Sequence, residues 1–418
     1  MAFRQGGMAT DAVSYSIGRK GWTILVFGGL VVFIALGMRH SFGLFLAPIT
    51  QDLPAVSREA FGFAIALQNL LWGLGQPFAG MAADRFGSGR VIFIGGILYT
   101  GGLIFAAMST GSLGFNLSLG VMLGLGLSCT SYAVVLGAVG RHFPPERRSS
   151  ALGIASVGGS IGIFCSVPIT LSLIGNLGWV GAFLGLAGIA AIICVAAPQL
   201  AGRTVETGPE QSMGAALKEA MSHGGFLMLV LGFFVCGFQL AFITTHLPAY
   251  LVDKNLGLWV GGAALAVIGA TNIIGTLGCG ALGDRYSKKK ILAVLYLTRA
   301  TVAAWFILTP ITPITTIIFG AVMGFTWLGT VPLTTGIVAQ IFGPRYLGTL
   351  VGIVFLLHQV GSFLGAWMGG FAFARTGSYD LIWWSVVLLG LFAAILHWPI
   401  DERPIHSRDR LQSDGQPA

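Results

Sequence analysis

Charged side chains are scarce in this sequence. Only 9% of the 418 residues are Asp, Glu, Lys or Arg, whereas 55% are hydrophobic. A water-soluble domain carries about 25% charged residues, so the composition excludes an ordinary soluble enzyme. It also excludes a disordered chain, because such chains are poor in apolar residues. Since a membrane helix needs about 20 apolar residues, the chain has room for twelve membrane segments with their connections.

Paired cysteines and nucleotide-binding motifs are lacking as well. The five cysteines lie in apolar stretches and none forms a C-x-x-C pair, so we expect neither a disulfide framework nor a metal site. No Walker motif is found, which argues against an ATP-driven pump, and no cofactor is expected. The basic residues form short clusters without interleaved aromatics, so nucleic acid is not an expected partner. Residues 1–20 lack the apolar core of a cleaved signal peptide, and the first hydrophobic segment is expected to serve as an uncleaved signal.

The hydrophobic pattern predicts an all-α membrane protein with twelve transmembrane helices in two six-helix bundles. A single long polar connection, 201–223, separates a bundle over 22–200 from a second bundle over 224–400, with tails at 1–21 and 401–418. The predicted segments are 22–47, 61–81, 91–109, 114–138, 150–174, 178–200, 225–251, 259–282, 291–308, 314–339, 347–372 and 380–399.

The distribution of basic residues predicts the orientation. If both termini lie on one side, that side holds 18 of the 23 Lys and Arg residues, and the other side holds Arg58, Lys254 and Arg375. Because cytoplasmic loops are enriched in Lys and Arg, we expect both termini in the cytoplasm and a multi-pass protein of a bacterial-type plasma membrane. Arg39 and Arg299 fall inside segments.

The two halves repeat each other. Gly80-Met-Ala-Ala-Asp84-Arg85 matches Gly280-Ala-Leu-Gly-Asp284-Arg285 at an offset of 200, and Gly153-Ile154 matches Gly352-Ile353 at 199. A duplicated unit with an even number of helices gives parallel halves, related by a pseudo-two-fold axis along the membrane normal.

The repeated loop resembles the cytoplasmic signature of the major facilitator superfamily. The resemblance covers the whole chain and implies the major facilitator fold, alternating access, and a latch between the halves when the outside is open. A generic basic loop is the alternative interpretation. The latch residues implied are Gly80, Asp84, Arg85, Arg90, Gly280, Asp284 and Arg285.

Two further stretches resemble the monocarboxylate transporter branch and its bacterial oxalate–formate relatives. These are Arg39-His40-Ser-Phe-Gly-Leu-Phe-Leu-Ala-Pro48 and His358-Gln359-Val-Gly-Ser-Phe-Leu-Gly-Ala-Trp-Met-Gly-Gly370. The resemblance implies a small organic anion as the solute. The eighth segment departs from that branch, because it offers only Thr271, Asn272 and Thr276 where a cation is common.

The acidic residues avoid the centre of the membrane. All 15 fall in tails, loops or segment ends, which disfavours an exporter of cationic drugs. Arg39 can hold a carboxylate by two parallel hydrogen bonds, and snorkelling of its side chain to lipid headgroups is the alternative. Arg299 is either functional or a structural or lipid contact.

Histidines are the candidates for proton coupling. His358 leads, with His40 and His246 as further candidates, since imidazole titrates near neutral pH. Each could instead be satisfied by a neighbouring helix. The remaining candidate solute contacts, which could equally join helices, are Gln68, Trp72, Gln239, Asn272, Trp327 and Gln359.

The sequence therefore predicts a secondary transporter, not an enzyme. We expect a monomer in membrane lipid that moves a monocarboxylate with a proton or in exchange for another anion. Export of a neutral or anionic toxic compound is the alternative function. A membrane-embedded enzyme and a sensor without turnover are less favoured, because the membrane interior lacks acids and the tails are short.

Overall fold

The computed structural model describes residues 19–140, 145–202, 218, 220–342 and 347–404. All regular structure among these residues is helical. Ten helices in the described part are long and apolar enough to cross a membrane, by length and composition. Most of the predicted tails and of the predicted central connection lies outside the described residues.

Every predicted segment overlaps helical residues, although 114–138 and 314–339 also contain a break, and we number the helices α1 to α12 by the segment on which each lies. The bounds are α1 Arg19–Ser41, continued by a short helix Leu46–Asp52; α2 Arg58–Phe86; α3 Ser88–Met108; α4 Ser112–Phe115, Leu123–Thr130 and Tyr132–Gly140; α5 and α6 within Pro145–Ala196; α7 Gly224–Asp253; α8 Leu258–Arg285; α9 Lys288–Leu308; α10 Pro313–Phe325 and Thr330–Phe342; α11 Leu347–Thr376; and α12 Asp380–His397.

Glycine ends several helices where the chain must reverse. Gly178 has φ 67° and ψ 177°, and it divides Pro145–Ala196 into α5 before it and α6 after it. Gly87 has φ 94° between α2 and α3, and its N–H donates to Ala83 O at 2.9 Å. A residue with a Cβ is strained at both angles, whereas glycine is not.

Each half has its own hydrophobic core. One core is built mainly from residues 24–200 and the other mainly from residues 226–400. Within the halves, glycines bring helix backbones into contact. A Cβ on Gly158 or Gly162 of α5 would collide with the backbone of α1, and one on Gly361 or Gly365 of α11 would collide with the backbone of α7. The equivalent helix pairs of the two halves are therefore packed in the same way.

Two equivalent helices, α4 and α10, are interrupted. In α4, Ser131 has an extended conformation between Thr130 and Tyr132. In α10, the helix stops at Phe325 and resumes at Thr330, which matches Ser131 at the repeat offset of 199. Interruptions at membrane depth are tolerated only where the freed backbone groups are satisfied. We therefore expect the residues around both breaks to supply hydrogen bonds to these groups.

Candidate functional site

Ion pairs join the halves at the face with few basic residues. Arg58 of α2 donates from Nη2 to Asp253 Oδ1 of α7 at 2.6 Å, and its Nη1 donates to the other carboxylate oxygen. Glu59 of α2 and Arg375 of α11 form a second, looser pair at 3.9 Å. We call these four residues and Tyr379 the clamp.

The clamp is partly buried, and its residues shift the pKa values of one another. Burial alone would lower the pKa of Arg58, but the hydrogen bonds to Asp253 outweigh it and raise that pKa. The guanidinium carbon also lies 4.0 Å from the ring centroid of Phe373, and Nη1 donates to Tyr379 Oη at 3.3 Å. Burial raises the pKa of the Tyr379 hydroxyl to about 12 despite the nearby Arg58, so this hydroxyl stays protonated at neutral pH.

The halves are in contact near the clamp and diverge toward the basic face. A Cβ on Gly62 would lie 2.6 Å from Ala366 O, and one on Gly73 would lie 2.7 Å from Gln359 Cβ. Farther along the same helices, a Cβ on Gly80 or Gly352 would meet no atom of a described residue within 4 Å. The structure is therefore closed at the clamp and opens toward the face that carries the basic clusters.

Arg39 lies where the two halves meet. Its Nη2 donates to Asn69 Oδ1 of α2 at 2.5 Å, while its Nε has no hydrogen-bond partner in the described part of the chain. No ion pair of Arg39 with an acid is found among the described residues. A small cavity beside it, about 10 Å³, is lined by Arg39, Phe42, Gly43, Ile65, Gln68, Asn69, Thr244 and Thr245. The site thus presents an uncompensated cation, which favours a negatively charged ligand.

A row of rings connects Arg39 to His358 across the interface. The guanidinium carbon of Arg39 is 4.7 Å from the ring centroid of Trp72, and that ring meets Phe355 of α11 edge-on at 5.2 Å. Phe355 lies parallel to His358 with ring centroids 6.0 Å apart, and the ring centroid of Phe233 lies 4.7 Å from that of His358. Two residues expected at the solute site, Trp72 and His358, are thereby placed on one path.

The two amides expected at this site are buried beside it. Gln68 lines the cavity, and neither its Nε2 nor its Oε1 has a hydrogen-bond partner. Gln359 Oε1 lies 3.2 Å from His358 Nδ1 and accepts its hydrogen bond, and Gln359 Nε2 has no hydrogen-bond partner among the described residues. A buried amide without a hydrogen-bond partner costs free energy. A solute that supplies the missing partner would therefore be bound by both groups.

The other two histidines already bind backbone carbonyls. His40 Nδ1 lies 2.8 Å from Leu36 O on its own helix. His246 Nε2 lies 2.7 Å from Ala366 O, and its Nδ1 lies 3.3 Å from Tyr379 Oη of the clamp. These two residues are thus separate from the ring row that holds His358.

Three further predicted contacts are placed elsewhere. Gln239 donates to Val386 O at 3.0 Å inside the C-terminal half. Asn272 donates to Ser160 Oγ of the other half at 3.3 Å, while its Oδ1 accepts from Leu328 N at 2.9 Å within the α10 break. Trp327 lies in the same break and is fully buried.

Arg299 supplies hydrogen bonds to the α10 break. The sequence did not predict this break. Its Nη2 donates to Trp327 O at 2.6 Å and to Thr326 O, and its Nε donates to Thr326 Oγ1 at 3.3 Å. Its Nη1 donates to Cys236 Sγ at 3.3 Å. The fully buried Arg299 lies at the C-terminal end of the helix Pro313–Phe325. Its N–H groups bind the carbonyls that the helix leaves free, and its positive charge is favourable at the negative end of the helix dipole. Arg299 therefore acts as an end cap.

The implied latch residues lie at the basic face. The Asp84 side chain lies outside the described part. Arg85 and Arg90 are exposed, with the Arg85 guanidinium carbon 5.3 Å from the ring of Phe86. No ion pair between described residues involves Asp284 or Arg285. The latch role of these residues remains a prediction.

Two similar helical halves, in contact at one membrane face and divergent at the other, define a transporter. A sequence profile of the Major Facilitator Superfamily matches residues 23–366. The chain belongs to the Major Facilitator Superfamily, as its repeated loop predicted.

Individual relatives agree with this assignment. The chain is 27% identical over 397 residues to the MFS-type transporter YcxA of Bacillus subtilis, covering 90% of this chain and 94% of YcxA. It is 25% identical over 386 residues to monocarboxylate transporter 13 of Rattus norvegicus, covering 90% and 87%. A crystal structure of a bacterial homologue of the human lysosomal transporter Spinster, in an inward-facing and occupied conformation, shares the fold. That match has a TM-score of 0.69 at 16% identity over 89% of this chain and 92% of the other.

Proposed function

We propose that this transporter moves a small organic anion of the monocarboxylate class by alternating access. The observation that carries the proposal is the Arg39 guanidinium, which faces a polar cavity at the interface and has no acidic partner among the described residues. A carboxylate can accept two parallel hydrogen bonds from a guanidinium, and it neutralises the charge at the same time.

Neighbouring groups suit the rest of such a solute. Gln68 and Gln359 offer buried amide groups without partners, and the Trp72 and Phe355 rings form an apolar wall. Similarity to a protein named monocarboxylate transporter 13 supports the same class. Gln239, Asn272 and Trp327 are assigned a supporting role, because each already packs within the C-terminal half or at the α10 break.

His358 is our candidate for proton coupling. It is the histidine on the ring row that leads to Arg39, whereas His40 and His246 are engaged with carbonyl oxygens. Cotransport of one anion with one proton moves no net charge, which avoids about 2.3 kcal/mol per charge per 100 mV. Anion exchange has the same electrical advantage.

The basic face is assigned to the cytoplasm of a plasma membrane, in keeping with the positive-inside rule. The conformation described here, closed at the clamp and open toward the basic face, is then an inward-open state. In the opposite state, the loops at Asp84 and Asp284 would come together as the latch.

The test is uptake into proteoliposomes of the purified full chain. Labelled lactate, pyruvate, formate and oxalate are offered with and without an imposed pH gradient, and with unlabelled anion trapped inside. Gradient-driven accumulation supports symport, and uptake that needs trapped anion supports exchange. If the folded protein takes up none of these carboxylates, the anion proposal is wrong. Export of a neutral or anionic toxic compound, the alternative, then gains support from sensitivity of a deletion strain to such a compound.

A further inference from the structure

An apolar groove lies between α9 and α12, far from the Arg39 site and near the basic face. Its volume is about 460 Å³. The walls are exposed aliphatic side chains of both helices, and small residues form its floor. The lining residues are Ala293, Val294, Leu297, Leu391, Ala394, Ile395, Trp398 and Pro399.

Two buried rings lie between α9 and α12 beside the groove. Tyr296 of α9 stacks on His397 of α12 with ring centroids 5.0 Å apart, and both residues are buried. At the repeat offset of 200, the N-terminal half has Gly96 in place of Tyr296. A Cβ on Gly96 would lie 2.8 Å from Cys194 Sγ of α6, so the N-terminal half has no room for a ring at the position that Tyr296 occupies in the C-terminal half.

A basic residue sits at the end of the groove nearest the basic face. Lys290 is exposed and lies one helical turn before Val294, so both occupy the same side of α9. Its neighbours are engaged, because Lys288 Nζ donates to Gln340 Oε1 at 3.2 Å and Lys289 Nζ donates to Ile400 O at 2.6 Å. Lys290 has no hydrogen bond or ion pair with another described residue.

The nearby acids are bound to groups other than the Lys290 ammonium. Glu402 accepts from Lys289 N at 2.7 Å and from Ser287 Oγ at 3.0 Å, and Asp401 pairs with Arg403 at 2.9 Å. On the other wall, Trp398 is 63% exposed at the end of α12, where an indole suits the headgroup level of a bilayer.

We infer that this groove binds an anionic phospholipid, with an acyl chain between α9 and α12 and the phosphate at Lys290 and Trp398. The apolar walls match a hydrocarbon chain, and the free ammonium matches a negatively charged headgroup rather than a zwitterionic one. One basic contact near a membrane surface changes lipid affinity about fivefold. The inference is independent of the transported solute.

Brominated lipids test this binding, because bromine quenches tryptophan fluorescence at short range. The full chain is reconstituted in vesicles of brominated phosphatidylglycerol or brominated phosphatidylcholine mixed with unlabelled lipid. The Trp398 contribution is the difference between wild type and Trp398→Phe. We expect this contribution to favour quenching by phosphatidylglycerol about fivefold, and the preference to disappear in Lys290→Gln.

The matched control is Arg90→Gln, since Arg90 is the repeat equivalent of Lys290 beside the tightly packed α3 and α6. It should leave the Trp398 preference unchanged. Native mass spectrometry of phosphatidylglycerol retained by wild type and Lys290→Gln provides a second measurement. Equal quenching by both lipids, or a preference that survives Lys290→Gln, contradicts the inference. Absence of quenching by either lipid also contradicts it and indicates that protein, such as residues 405–418, covers the groove.

Discussion

The guanidinium carbon of Arg39 lies 4.7 Å from the ring centroid of Trp72, at the contact between the two halves of the transporter. The ring shields one face of the cation, and Asn69 holds one nitrogen. The remaining donors are left for a ligand. The proposed anion anchor, Arg39, therefore lies on α1 and is held by side chains of α2, while the proposed proton carrier, His358, lies on α11.

Replacing His358 separates proton coupling from solute binding. In His358→Gln we expect loss of the stimulation by a pH gradient, with exchange of labelled for unlabelled anion retained within about threefold of wild type. The reason is that an amide can keep the hydrogen bond to Gln359 but cannot carry a proton. Parallel measurement of both transport modes provides the check.

His40→Gln and His246→Gln are the matched variants, because each imidazole already binds a backbone carbonyl. Both should keep the pH-gradient stimulation. If either variant loses it while His358→Gln does not, the proton assignment moves to that residue.

Breaking the clamp shifts the conformational equilibrium. Arg58→Gln removes both hydrogen bonds to Asp253, and loss of a partly exposed ion pair costs about 1 kcal/mol, or about a fivefold shift away from the state closed at the clamp. Spin labels at positions 51 and 254, in a background without the five native cysteines, should report a larger population of long distances.

The comparison is Arg403→Gln, which breaks an Arg–Asp pair that does not join the halves. It should leave the distance distribution unchanged, and the double variant Arg58→Asp with Asp253→Arg should restore the short distances in part. An unchanged distribution in Arg58→Gln means that the clamp does not stabilise this state.

A methyl group at Gly370 should obstruct closure. The Cβ of Gly370→Ala would collide with the Arg58 backbone of α2, whereas that of Gly352→Ala on the same helix would meet no described residue within 4 Å. Overpacking costs about 1–3 kcal/mol, so we expect initial transport rates at least fivefold lower for Gly370→Ala and unchanged rates for Gly352→Ala. Equal rates for the two variants would argue against close contact of α2 and α11 during transport.

Arg299 should matter for stability rather than for solute selection. Arg299→Gln leaves the carbonyls of Thr326 and Trp327 short of donors in the protein interior, and each buried acceptor left without a donor costs about 1–3 kcal/mol. Thermal unfolding of the purified protein should show a clear decrease in Tm for Arg299→Gln and little change for Arg375→Gln, whose side chain is 58% exposed. Wild-type stability of Arg299→Gln would contradict the end-cap assignment.

Hydropathy and the repeated loop predicted most of the architecture. Hydropathy, averaged along the chain, gives the depth of a residue in the membrane. The repeated loop shows that the two halves are related in sequence. They do not fix which side of a helix faces which neighbour. The sequence placed Arg58 at the face with few basic residues, but its pairing with Asp253 joins positions 195 residues apart and depends on the packing of the halves.

The breaks in α4 and α10 were also missed. Residues 326–329 are no more polar than the rest of their segment, so hydropathy predicted a continuous helix over 314–339. The sequence did place Arg299 inside a membrane segment. It could not show that this arginine binds the carbonyls of a helix break, because that depends on the packing of α9 against α10. Gln239 illustrates the same limit, since a polar residue at mid-membrane proved to bind Val386 O within one half.

Carboxylate binding by Arg39 is the central claim, and a direct binding measurement tests it best. The affinity of the purified protein for labelled pyruvate is compared among wild type, Arg39→Lys, Arg39→Gln and the distant control Arg403→Gln. Loss of a buried charge pair costs at least about 2 kcal/mol, so Arg39→Gln should bind at least about 30-fold more weakly. Arg39→Lys should lie between the two, and Arg403→Gln should match wild type. Wild-type affinity in a folded Arg39→Gln protein would contradict the account.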